Sequence, residues 1–166
     1  MDELAPVIAP VLTPVLSPVL APVLAPAELH RLSSLALAHV GDAAFEIMVR
    51  VRLCLAGHVT AAKLHEQTVA HVRAGAQATY ARALWPHLSE GERAVFLRGR
   101  NAETHTQPHA ATREEYAQAT ALEALWGYLY LTGRQARLEE LFAKLPIANV
   151  NQPPSPSTSP STSHRQ

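Results

Sequence analysis

Residues 35–56 read LALAHVGDAAFEIMVRVRLCLA, follow directly on Ser34, and stop at Gly57. No proline interrupts the stretch, and a glycine just past the last apolar position is what a helix C-terminus selects. One long helix starting near Ser34 is therefore expected. From Leu35 to Phe45 it is apolar on nearly every side, the mark of a buried, central helix. Asp42 is the one charged residue in that run, sharing a face with Leu35, Ala38, His39, Phe45, Glu46 and Val49.

Outward from this helix, no segment reads as a strand. Thr60 can cap a second helix, TAAKLHEQTVAHV, and a third begins near Ala74 and ends around Trp85-Pro86. Ser89 with Glu92 forms a capping box opening GERAVFLRGRNA. After a polar loop with Pro108, Thr112 with Glu115 forms another, opening REEYAQATALEALWGYLYL, which Gly133 stops. A last helix, RQARLEELFAKL, ends before Pro146. The expected fold is an all-α bundle of about six helices.

The ends differ in composition from this middle. Residues 6–26 repeat a tetrapeptide, PVIA-PVLT-PVLS-PVLA-PVLA-P, and each proline removes a donor and pushes its predecessor out of the α region. Residues 1–27 read as a low-complexity, polyproline II-like arm, 28–148 as the folded domain, and 149–166 as a Pro/Ser/Thr tail without core-forming side chains. The N-terminus opens Met1-Asp2-Glu3 with no basic segment, so neither a signal peptide nor a spanning helix is expected. A single cysteine, Cys54, cannot form an intramolecular disulfide and falls in an apolar run, which suggests a buried, inert thiol. A soluble, cytoplasmic protein is expected.

The chain holds 14 basic and 14 acidic side chains. Residues 28–148 hold 13 and 12, so bulk positive charge does not mark it as a nucleic-acid binder, and any such contact needs a local patch.

Glu123 repeats the situation of Asp42. It is the one charge in ALEALWGYLYL, with Tyr116, Thr120, Trp126 and Tyr130 along its face. An unpaired ionised carboxylate is costly to bury, so each acid must be neutralised, paired with a neighbouring helix, or share a divalent cation. The residues alone leave these readings open. Gly41 precedes Asp42 and Gly127 lies one turn after Glu123, both inside expected helices, where glycine costs about 1 kcal/mol against alanine. Two helices crossing at these glycines would bring both carboxylates to one cavity. Such a pair suits Mg²⁺, which takes oxygen ligands and keeps several waters. The chemistry it supports is metal-assisted hydrolysis of a phosphodiester, with water activated for in-line attack and no covalent nucleophile from the protein.

LALAHVGDAAFE, FLRGRNA and ATALEALWGYLYL occur in the order and spacing of the Mini-III ribonucleases, and residues 32–145 resemble that family. These are compact relatives of ribonuclease III with its endonuclease domain and no double-stranded-RNA-binding domain. The resemblance implies a helical homodimer that cuts double-stranded RNA, maturing the ends of the 23S ribosomal RNA precursor, either free or presented in an assembled ribosomal particle. It places the family's catalytic and metal-binding acids on Asp42 and Glu123. Ribonuclease III proper has a further Glu and a further Asp where this chain has Ala38 and Thr120, which implies more reliance on water and RNA phosphate for the metal. The RGRNA motif makes Arg98, Arg100 and Asn101 candidate RNA contacts, with Gln77 and His65 as further candidates. Glu103 and His109 stand where relatives often carry lysine, which thins the basic patch.

The nine histidines form no HExxH and there is no CxxC, so zinc is not expected. His39 reads as a core histidine, and Glu46 either supports Asp42 or pairs with Arg50 one turn on. No phosphate-cradling glycine loop, dinucleotide fingerprint or Ser-His-Asp ordering is present. The competing expectation is a non-catalytic RNA-binding or ribosome-assembly protein on the same fold.

Overall fold

The computed structural model describes residues 24–57, 60–102 and 112–147. The readings made for most of the repeat arm, for the C-terminal tail, and for Glu103 and His109 lie outside the described residues. Among those described there is no strand. The elements are α1 (Pro26–Leu29), α2 (Ser34–Leu55), α3 (Ala61–Val72), α4 (Ala74–Leu84), a 3-10 turn (Trp85–His87), α5 (Glu90–Arg100), α6 (Arg113–Leu131) and α7 (Gln135–Ala143). The six expected helices are present, and the single turn α1 precedes them.

Local chemistry sets the helix ends. Ser33 and Thr60 accept from the amides three residues on, and both capping boxes, Ser89/Glu92 and Thr112/Glu115, close in both directions. Gly57 at φ +85° and Gly133 at φ +66° terminate α2 and α6 in the left-handed conformation that glycine adopts without strain.

Helix α6 is the axis, packed on by α2, α4 and α5. Its Leu122, Leu125, Trp126 and Leu129 are fully buried with Phe45, Val49 and Leu53 of α2 and Leu138 and Leu141 of α7. Each such side chain contributes about 1.5–3 kcal/mol on leaving water. Phe45 stacks on Trp126 at 5.7 Å between ring centroids, with Phe142 edge-on to both.

Helix α2 is not covered all round. Ile47, Val51 and Leu55, at i, i+4 and i+8, are 54%, 44% and 53% exposed. Cys54 and His39 are also exposed, which corrects the expectation of a buried thiol and a core histidine. No helix among the described residues is long and apolar enough to cross a membrane.

The N-terminal segment is fastened to the bundle. The Leu24 amide donates to the Leu131 carbonyl at 2.9 Å, and Leu24, Leu29 and Leu32 pack on Leu37, Val95 and Leu131. At the other end, Arg137 of α7 donates to both oxygens of Glu92 at 2.9 Å and to the His87 carbonyl at 2.7 Å. Glu92 is buried, and the Arg137 hydrogen bonds hold its carboxyl below the ordinary 4.5. Arg137→Met is expected to strand that carboxylate and destabilise the fold by about 3 kcal/mol, read as a shift of the urea midpoint. Because the folded pKa is depressed, the Glu92 contribution is present above pH 4.5 and is lost as pH falls through the folded value, so the difference between parent and variant narrows in acid.

Candidate active site

The site is built where α2 crosses α6. A Cβ added at Gly41 would collide with the Glu123 carbonyl and lie 2.6 Å from the Gly127 amide nitrogen. One added at Gly127 would collide with the Leu37 carbonyl. The two backbones are in direct contact, and the crossing puts Asp42 of α2 beside Glu123 of α6.

The two acids differ in environment. Glu123 is mostly buried, and its carboxyl is pushed up to about 7, first by burial and then by the charge of Asp42, with the Gln77 hydrogen bond opposing. Asp42 is exposed as a residue, which corrects the expectation of full burial. Its carboxyl is still shielded enough that desolvation, then the charge of Glu46, raises its pKa, while His39 lowers it. Glu46 itself pairs with Arg50 one turn on, with Nε at 2.9 Å from Oε1.

Gln77 of α4 is 1% exposed. Its Nε2 donates to Glu123 Oε1 and to the Val72 carbonyl, both at 2.9 Å. The RNA contact expected for Gln77 does not fit this burial: the amide faces an acid, not solvent. Nothing in the sequence flagged this, since the partners are 46 positions apart and a neutral amide leaves no charge anomaly.

The remaining candidates are exposed and are not brought to one place. Arg98 and Arg100 lie two positions apart on α5 and so point to opposite flanks. Arg98 lines a cavity of about 580 Å³ with Leu29, Leu32, Tyr128 and Arg134. Arg100 lines a second hollow with Trp85, Phe96 and Gln118. Between them Gly99 packs on α6, where a Cβ would come within 2.8 Å of Ala124 Cβ. Asn101 closes α5 and His65 is exposed on α3. His71 instead bonds Tyr80, Nδ1 to the hydroxyl at 2.5 Å, pinning α3 on α4.

No cluster of three or more His, Cys, Asp or Glu side chains able to hold a metal occurs among the described residues. The donors present are two carboxylates, one partly desolvated and repelled by the other. That set fits a hard divalent cation that keeps most of its waters, and does not fit zinc. A cation held by them would offset both the burial and the Asp42 charge that raise the Glu123 carboxyl.

The ribonuclease III domain family matches residues 35–134. The chain is 46% identical to a Mini-ribonuclease 3 of Symbiobacterium thermophilum over 66% of this chain and 85% of that protein. It is 46% identical to one of Thermosynechococcus vestitus over 70% and 75%. A crystal structure of a Fusobacterium nucleatum protein superposes with a TM-score of 0.63 at 28% identity, over 70% of this chain and 93% of that one. With paired acids at its central crossing and relatives matched over most of its folded length, the chain belongs to the Mini-ribonuclease 3 branch of the ribonuclease III family.

Proposed function

We propose that Asp42 and Glu123 hold a magnesium ion with which this chain, as a cytoplasmic homodimer, matures the ends of the 23S ribosomal RNA precursor. The chain is an endoribonuclease acting on double-stranded RNA, as its family membership entails. The observation that carries the assignment of the site is Glu123, a carboxylate partly removed from water beside a second acid and offered no cationic side chain among the described residues.

When bound, the cation supplies Lewis acidity to the attacking water and to the scissile phosphate. Glu123 and Asp42 fix the cation's position on rigid helices, and no side chain forms a covalent bond to the RNA. Arg98, Arg100 and Asn101, exposed at the surface, with Arg100 Nε donating to Asn101 Oδ1 at 3.4 Å, are suited to contact phosphates on either flank of α5. With acids and bases in equal number, few phosphates are neutralised, so affinity for naked duplex is expected to be low and only shallowly salt-dependent, which favours a precursor presented in a ribosomal particle.

Ile47, Val51 and Leu55 support the dimer, because a stripe of large apolar side chains on the longest helix is shielded from water by a second copy about a two-fold axis. Two such sites would cut the two antiparallel strands at staggered positions. In sedimentation, Ile47→Asp with Val51→Asp is expected to give a monomer that no longer makes double-strand cuts. A parent already monomeric at working concentration would refute this interface.

The deciding experiment incubates the full chain with a 23S precursor duplex, with and without Mg²⁺, and maps the ends. Cleavage is expected to need Mg²⁺ and to vanish in Asp42→Asn. Binding of the duplex without nicking it, at any Mg²⁺ concentration, would overturn the catalytic reading.

A further inference from the structure

Gln77 is the most deeply buried polar side chain touching the site, and its orientation is determined by an atom with no chemical freedom. Val72 is the last residue of α3, and its carbonyl is one of those a helix end leaves without an intrahelical partner. A carbonyl can only accept, so Nε2 must face it. The second Nε2 hydrogen then goes to Glu123 Oε1. Turning the amide over would set its oxygen against two acceptors at once. The amide keeps its orientation although its own Oε1 is buried with no hydrogen-bond partner among the described residues.

We propose that Gln77 is the positioning residue of the metal site: anchored by the Val72 carbonyl, its amide holds Glu123 Oε1 and leaves Oε2 to bind the cation. The inference rests on Glu123 being a metal ligand. It gives the α3–α4 elbow a function beyond packing, because the backbone of that elbow sets where the Glu123 carboxylate stands. Groups that orient a ligand typically change metal affinity or activity by 10–100-fold when removed.

Gln77→Met keeps the volume and removes both donors. Manganese binding to the RNA-free protein, followed by electron paramagnetic resonance, is expected to weaken about tenfold or more. Cleavage should recover as Mg²⁺ is raised, while KM for duplex RNA at saturating Mg²⁺ stays at the parent value. A purely structural Gln77 would lower the melting temperature and leave manganese affinity per folded molecule unchanged, and that result overturns the proposal. So does a raised KM for RNA with unchanged metal affinity, which would make Gln77 a substrate contact. Glu123→Gln separates the two levels: retention of manganese binding there refutes Glu123 as ligand, whereas its loss with an unaltered Gln77→Met refutes Gln77 alone. If Gln77→Met does not fold, the side-chain amide resonances of Gln77 in the unsubstituted chain decide. They are expected to shift when Mg²⁺ is added, and an unmoved pair refutes the proposal.

Discussion

Glu123→Gln is expected to slow RNA cleavage by at least about a thousandfold and, without divalent cation at pH 8, to melt at a higher temperature than the parent. The loss follows from the role proposed for Glu123, since a neutral amide would replace a charged oxygen ligand while Gln77 and the helix crossing remain. The gain follows from the same carboxylate. Its pKa of about 7 in the folded chain exceeds the ordinary 4.5, so the folded state holds a proton that the unfolded state releases between these values. The Glu123 contribution is most favourable below pH 4.5 and is lost as pH rises through about 7. The full difference is about 3 kcal/mol. Glutamine does not titrate, so the stability of Glu123→Gln should vary less between pH 5 and 8. Added Mg²⁺ should stabilise the parent and not the variant. Equal pH dependence in the two proteins would mean that Glu123 carries no uncompensated charge.

Gly127→Ala is expected to be, with Gly41→Ala, among the two most damaging glycine-to-alanine changes at the described residues. Overpacking usually costs about 1–3 kcal/mol because side chains rearrange around the added atom. Here the obstacle is the Leu37 carbonyl, main chain of the longest helix, and α2 would have to move off α6 as a whole. A cost at the upper end of that range or beyond corresponds to a fall in melting temperature on the order of 10 °C. Gly41→Ala meets the Glu123 carbonyl and should behave alike, whereas Gly91→Ala meets nothing within 4 Å and is the control. Differential scanning calorimetry of the three variants tests this, and a Gly127→Ala protein as stable as Gly91→Ala would refute the close crossing.

Both glycines and both acids were legible beforehand, since each breaks a local rule: glycine inside a helix, charge inside an apolar run. The capping boxes likewise named the starts of α5 and α6 from four residues each. What could not be read has a common cause. Gln77 to Glu123 and Arg137 to Glu92 join residues 46 and 45 positions apart, and neither amide nor arginine looks misplaced where it stands. Glu92 already had an explanation as a capping residue, which hid its second partner. Arg98 and Arg100 read as one patch because they are neighbours in sequence, but two steps along a helix turn them to opposite sides.

The hydrogen bond from Leu24 to Leu131 has a mechanical side. Leu131 ends the helix that bears Glu123 two turns earlier, so a pull applied at Leu24 is passed through one backbone hydrogen bond to the end of that helix.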